Sequence, residues 1–365
     1  MGINQKKKMK KQSGMSLIEL MIALLIGLLL SAAIITVYLS NKQTFWNTEA
    51  AASLQENSRF ALKLIMNDLR LAGFYGGVDH IVIEKDSNVG ILDANSCKRG
   101  NTATPTEFEY ERSIWVARKG VAGFPGCIDA SNMATAQNDV GSDVLFVKHV
   151  APVPHDFTFD PVSLDSINKS KTKDTRSYIV AALDHAGHYN GVADNTTLKG
   201  YTDADKDFPD GQVWEYIYHA YFISKPAGNA FPQLRRKKLI VNNSTKKSYW
   251  KTETVAEGIQ DIHFLFGVDT DSDGIVDAYV NTGTIDADSY KWEQVIAAKI
   301  YLLAQSTKSD IDYTDSKTYT YGVGDSRRTY TPGSGEDKYH RKLYETTVTL
   351  YNNQMERRRG LGNDE

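Results

Sequence analysis

Four carboxylates fall within nine residues in the stretch "DTDSDGIVD": Asp269, Asp271, Asp273 and Asp277, with Gly274 at the sixth position. That is D-x-D-x-D-G-x-x-D, the first nine positions of an EF-hand-type loop. Calcium takes several hard oxygens at about 2.4 Å, and a glycine permits the sharp turn that brings alternate residues inward. Ile275, at the seventh position, offers its backbone carbonyl. The stretch also reads as a solvated acidic turn between strands, but acids this dense repel one another without a cation, so calcium is expected at Asp269, Asp271, Asp273, Ile275 and Asp277. Val280 stands at position twelve in place of the bidentate glutamate, which points to modest affinity. The flanking patterns are those of strands, not helices.

Other polar clusters carry weaker chemistry. "TDADKDFPDG" holds Asp203, Asp205, Asp207 and Asp210 but lacks the glycine, and reads as a solvated turn. "HAGH" sets His185 and His188 three apart with no third ligand nearby, and reads as a surface pair. "LRRKKL" (Arg235 to Lys238) and "ERRRG" (Arg357 to Arg359) could pair with phosphates. On an acidic body they read as solvated faces or subunit contacts. No P-loop, G-x-S-x-G elbow or H-E-x-x-H occurs, so an enzyme is not expected. Cys97 and Cys127 lie far from any C-x-x-C spacing. In a reducing compartment they are two buried thiols. In an exported domain a disulfide is favoured, closing a loop of about 30 residues and contributing roughly 3–4 kcal/mol.

One acid sits where acids are costly. From Leu20 to Leu39 the chain carries no charge. At 1.5 Å per residue that is about 30 Å of helix, the hydrocarbon thickness of a bilayer. Lys6, Lys7, Lys8, Lys10 and Lys11 precede it, so the N-terminus is expected to stay cytoplasmic and the rest to be exported. The chain holds 42 basic and 45 acidic residues; without those five lysines the remainder is net −8, which argues against nucleic-acid binding. No A-x-A cleavage site follows Leu39; the small residue, Gly14, comes before the apolar run. Glu19 near the start of a membrane helix costs about 2–3 kcal/mol unless paired or reaching the headgroups. Cleavage after Gly14 would supply a partner, the new α-amino group of Met15, four residues away. A neighbouring subunit's amine could neutralise the carboxylate as helices stack.

The elements that position these residues follow from periodicity. "NTEAAASLQENSRFALKLIMNDLRLAG" has no proline and puts Ala61, Ile65, Leu69 and Ala72 on one stripe. Gly73 is a fitting C-cap. One helix of about 55 residues is expected, its first half in lipid and its second half on a globular head. Beyond residue 76, strands are expected in "TEFEYERSIWVAR", "SDVLFVKHVAPV", "RSYIVAAL", "QVWEYIYHAYFIS", "GIQDIHFLFGV", "WEQVIAAKIYLLA" and "RKLYETTVTLYNN". Ile296, Ala298, Ile300 and Leu302 alternate as a buried face. The polar stretches 152–176, 184–211 and 305–340 read as surface loops.

"SGMSLIELMIALLIGLLL" resembles the class III signal of type IV pilins and pseudopilins, in which a prepilin peptidase cuts after the glycine and methylates the new N-terminus. Gly14 and Met15 match the processing site and Glu19 the assembly glutamate; Met15 stands where phenylalanine is commonest. "QENSRFALKLIMNDLRLAGFYGG", "GSDVLFVKHV", "IHFLFGVDTDSDGIVDAY", "WEQVIAAKIYLLAQS" and "YETTVTLYN" resemble blocks of PilW-type minor pilins, in patches over nearly the whole chain. The resemblance implies an α+β, pilin-like fold: a long N-terminal helix, half transmembrane and half amphipathic, packed on an antiparallel β-sheet head. It implies a leader at 1–14, a membrane half at 15–40, a packing half at 41–75 and a head at 76–365. It also implies a head disulfide between Cys97 and Cys127. The implied function is that of a minor pilin of a Gram-negative type IV pilus, in a complex that primes assembly for twitching motility and adhesion. Its partners would be prepilin peptidase, other minor pilins, the major pilin and the inner membrane. Its head would be periplasmic before assembly and join the fibre, at the tip, afterwards. The alternatives are a type II secretion pseudopilin, similar to the J pseudopilin, a tip adhesin with surface-binding loops, and a single-pass membrane enzyme.

Overall fold

The structure, a computed structural model, describes residues 14–86, 89–91, 97, 108–119, 124–128, 133, 142–154, 175–182, 185–191, 212–225, 231–286 and 292–353. The acidic cluster at 203–210 and the basic run at 357–359 lie outside them. The chain divides into two compact units, 1–52 and 53–365.

Helix α1 runs from Leu17 to Leu71 without a break, 55 residues as expected. In the first unit its apolar side chains all point outward, with Leu17, Leu24 and Leu28 among the most exposed. An 18-residue window there is long and apolar enough to cross a membrane. The Thr36 hydroxyl donates to the Ala33 carbonyl at 2.8 Å, so this segment's polar side chain is satisfied within the helix. Tyr38, Phe45 and Trp46 cluster at the end of the apolar run, with Lys42 4.9 Å over the Trp46 ring. Aromatic and cationic side chains of that kind suit the membrane–water boundary.

In the second unit the same helix is one-sided. Leu54, Ser58, Ala61, Ile65, Asp68 and Leu69 are buried, the 3.6-residue stripe of a packed helix. The helix ends where Gly73 takes φ +77°, and its N–H donates to Lys148 O at 3.1 Å. The positive φ itself favours glycine, and a Cβ there, 2.9 Å from Asn353 Oδ1, would have to push that amide aside.

The head is built on two sheets. The larger has eight strands: β1 (Ile83–Lys85), β2 (Ile114–Arg118), β3 (Asp143–Val150), β4 (Ser177–Ala181), β5 (Ala186–Asn190), β6 (Gln212–Ser224), β7 (Gln233–Val241) and β8 (Ser248–Glu257). Strand β6 is the hub: β3 lies on one side, while β4 and then β7 share the other. Only β1 with β5 is parallel among these pairs. The second sheet is antiparallel, in the order β10 (Ala278–Val280), β9 (Ile259–Val268), β11 (Val295–Gln305), β14 (Arg341–Thr349). A short helix α2 (Thr282–Asp286) follows β10, and β12 (Tyr319–Tyr321) and β13 (Arg328–Tyr330) form a separate hairpin. The architecture is α+β and rich in antiparallel sheet.

Four expectations need correction. Residues 108–113 are turns; Phe108 and Tyr110 are buried from irregular backbone, where the Tyr75 hydroxyl donates to Tyr110 O at 2.9 Å. Within 184–211, expected to be loop, 186–190 is the buried strand β5. "LRRKKL" is strand β7, its long side chains half-buried along the sheet. Stretch 305–340 is not a loose surface loop. Its hairpin lies against the second sheet, with Tyr321 packed on Leu265 and Tyr301. For that reason β11 is buried on both faces, not only along Ile296, Ala298, Ile300 and Leu302.

Candidate functional site

The N-terminal residues singled out by chemistry lie together at the start of α1. Ser16 stands just before the first helical residue, and its Oγ accepts from the Ile18 N–H at 3.2 Å. Glu19 Oε2 accepts from the Ser16 N–H at 3.0 Å. This is a reciprocal cap: serine and glutamate each satisfy a backbone donor that the helix leaves orphaned. The carboxylate is thereby turned back along the axis toward Met15 and Gly14. It also complements the positive end of the helix dipole.

In the head, Asp269, Asp271 and Asp273 converge in the loop between β9 and β10, one ligand atom from each lying within 4.8 Å of the others. Ser272 and Gly274 take positive φ, 65° and 87°, and wind the loop tightly. Asp269 is buried and accepts from the N–H groups of Ser272 (2.6 Å) and Gly274 (3.0 Å). Asp277 stands apart from the trio and accepts from Thr270, at 2.7 Å from its N–H and 2.5 Å from its hydroxyl. The Ile275 N–H donates to Asp273 Oδ1 at 2.7 Å.

Cys97 and Cys127 are joined in a disulfide with Cα atoms 4.8 Å apart. The expected surface pair of histidines is not one. His188 on β5 is fully buried, with Nδ1 2.5 Å from the Tyr110 hydroxyl and Nε2 2.7 Å from Ser177 Oγ. Burial, helped by the nearby Lys85 charge, pushes its pKa down to about 3.

Two charged clusters escaped sequence reasoning. Asp143 is completely buried on β3, and is held by Arg328 Nη2 (2.5 Å), His263 Nδ1 (2.8 Å), Arg118 Nε (3.0 Å) and the Phe264 N–H (2.9 Å). Burial opposes its ionisation, but the Arg328 and His263 charges outweigh that and hold its carboxyl well below the usual range. Arg328 also reaches Asp261, which accepts from the Tyr321 hydroxyl. Asp68, on the helix's buried stripe, accepts from His219 Nδ1 and the Tyr221 hydroxyl, both at 2.6 Å. The one sequence signal for either cluster is a carboxylate at a position the apolar pattern marks as core.

Residues 220–352 match the family described as Type IV Pilus-assembly protein W, and residues 9–35 match the prokaryotic N-terminal methylation motif. The second match spans Gly14, Met15 and Glu19. No curated protein matches the sequence. Among solved structures, the type IV-like pilin TTHA1219 from Thermus thermophilus aligns at 15% identity and a TM-score of 0.17, over 38% of this chain and 78% of that one. At that score the overlap carries no argument. The fold and the two family matches together support a type IV pilin-like protein, anchored by its apolar N-terminal helix. More narrowly, they support a PilW-type minor pilin.

Proposed function

We propose that this chain is a minor pilin that joins other minor pilins in a complex priming type IV pilus assembly. Prepilin peptidase cuts after Gly14 and frees the Met15 amine. Glu19 then pairs with an amine in lipid, its own or a neighbour's, and registers the helix in the bundle. The head is periplasmic before assembly and enters the fibre near its tip. The observation that carries this reading is the Glu19 carboxylate folded back to the N-terminal end of α1, whose first, apolar half faces outward, inside a match to the methylation motif. A buried carboxylate is costly until a cation meets it, so the pairing can drive association.

Glu19→Ala is expected to be inserted and processed normally, with a mass-spectrometric N-terminus at Met15, yet to drop out of complexes recovered by pull-down with the other pilins. Normal incorporation into pili, or a leader still attached to the wild-type protein, overturns the reading.

We further propose that the 269–277 loop binds calcium through Asp269, Asp271 and Asp273, supported by the convergence of their carboxylates. Asp277 and the Ile275 carbonyl complete the set when the loop closes on the ion. Millimolar calcium is expected to raise the head's thermal midpoint by several degrees over a chelator control, and Asp271→Asn to abolish most of that shift. A midpoint indifferent to calcium eliminates the site.

A further inference from the structure

Asp68, His149 and His219 come from three separate elements, α1, β3 and β6, yet one ligand atom from each lies within 4.8 Å of the others. Asp68 and His149 are buried, and His219 lines a cleft of about 550 Å³ together with Arg176, Arg236, Lys238 and Lys251. A structural ion pair accounts for two of the three residues. Asp68 Oδ2 takes hydrogen bonds from His219 Nδ1 and the Tyr221 hydroxyl and is satisfied by them. His149 is held less closely. That ring's Nδ1 lies 2.8 Å from the Val150 carbonyl, which can only accept, so Nδ1 donates there and Nε2 is the atom turned toward the cluster. Nε2 stands 3.5 Å from Asp68 Oδ1, is buried, and makes no hydrogen bond. At 3.5 Å the contact with Asp68 is a long ion pair at best, which a cation seated between the two atoms would replace with two short bonds.

We propose that Asp68 Oδ1, His149 Nε2 and His219 Nδ1 bind a divalent transition metal of the zinc class, with a water from the cleft as fourth ligand. Two imidazoles and a carboxylate are a recurrent zinc donor set. An imidazole anchored through its other nitrogen to a backbone carbonyl is the usual outer-shell arrangement of a metal-bound histidine. Neighbouring ligand atoms about a tetrahedral zinc lie roughly 3.3 Å apart, from bond lengths of about 2.0–2.1 Å. The gap from Asp68 to His149, at 3.5 Å, already has that span. His219 Nδ1, now 2.6 Å from Asp68 Oδ2, would give up that hydrogen bond and carry its ring proton on Nε2 in order to coordinate. The ion would tie the packing half of α1 to the two central strands of the large sheet. None of this depends on the assembly role proposed above.

The test uses the full processed chain in detergent, without a polyhistidine tag, stripped by a chelator and desalted. Cobalt(II) is added as a spectroscopic probe and then displaced with zinc. One cobalt per chain with visible d–d bands is expected, bleached by one equivalent of zinc. Zinc affinity should fall at least tenfold in His149→Gln and in His219→Gln. Wild type without bands, or folded histidine variants that bind as wild type does, overturns the proposal. Zinc-edge X-ray absorption of the wild-type protein decides the matter if those variants fail to fold: two imidazole shells are expected, and fewer than two overturns the site.

Discussion

At the scale of single residues, buried ionisable groups set how the head meets acid. His188 is enclosed by Tyr110, Ser177 and the rings of Phe108 and Tyr216, with Lys85 the nearest charge, and stays neutral down to about pH 3. In the unfolded chain it protonates at its ordinary value, near 6.5. Between those two values the unfolded state binds the extra proton, so stability is whole above pH 6.5 and is lost as pH falls toward 3. The slope is about 1.4 kcal/mol per pH unit for one such group. Thermal midpoints of the full chain should therefore fall from pH 6.5 to 4.5, and His188→Gln should flatten that fall by about one proton's worth. Equal slopes for the two proteins would count against a neutral His188. Asp143 acts at lower pH with the same sign: its depressed pKa gives stability that is present above about pH 4 and lost below it.

Among the described elements, the β12–β13 hairpin is held in place partly by charge. Its three-residue strands make a ladder too short to stand alone. Arg328 ties it to Asp261 of β9 in the second sheet and to Asp143 of β3 in the large one, while Tyr321 packs on Leu265 and Tyr301. Removing one partner of a buried pair leaves the other charge uncompensated, at a cost of roughly 3–5 kcal/mol. Arg328→Met should destabilise the head by about that amount in denaturant unfolding followed by tryptophan fluorescence. Adding Asp143→Asn should recover part of the loss, because a neutral amide no longer needs the guanidinium. A change under about 1 kcal/mol in the single variant would show that apolar contacts alone hold the hairpin.

For the whole molecule, the division near residue 52 separates two kinds of stability. The first unit is a helix whose backbone is satisfied internally and whose side chains want lipid or other helices, so it gains stability only in a membrane or a fibre. The second unit folds around its own core: Ile65 and Leu69 of the helix, Phe146 and Tyr221 of the large sheet, Phe264 and Phe266 of the small one. The charge is arranged to match. In the sequence the five lysines of the first 14 residues precede the apolar run and the acidic excess follows it, an asymmetry that suits a membrane anchor. The Glu19→Ala experiment belongs at this scale, because it asks whether the anchor can join a bundle while the head stays intact.

What the sequence determined by itself is whatever neighbours along the chain decide. The apolar run, the stripe Ala61–Ile65–Leu69–Ala72, the stop at Gly73 and the acidic loop all depend on residues a few positions apart, and each lies where the pattern put it. Most core strands were legible for the same reason. Only the tertiary structure decided which distant polar groups meet. Asp143 finds Arg328 at a separation of 185 residues, and Asp68 finds His219 at 151, because sheet register and helix placement carry them there. A charged side chain looks solvated in any periodicity argument. Strands β5 and β7 therefore look like loop and surface in the sequence, and His188 looks exposed, although the fold buries or half-buries all of them. Local pattern fixes the elements, and the desolvation of their polar residues is settled by what the rest of the chain stacks against them.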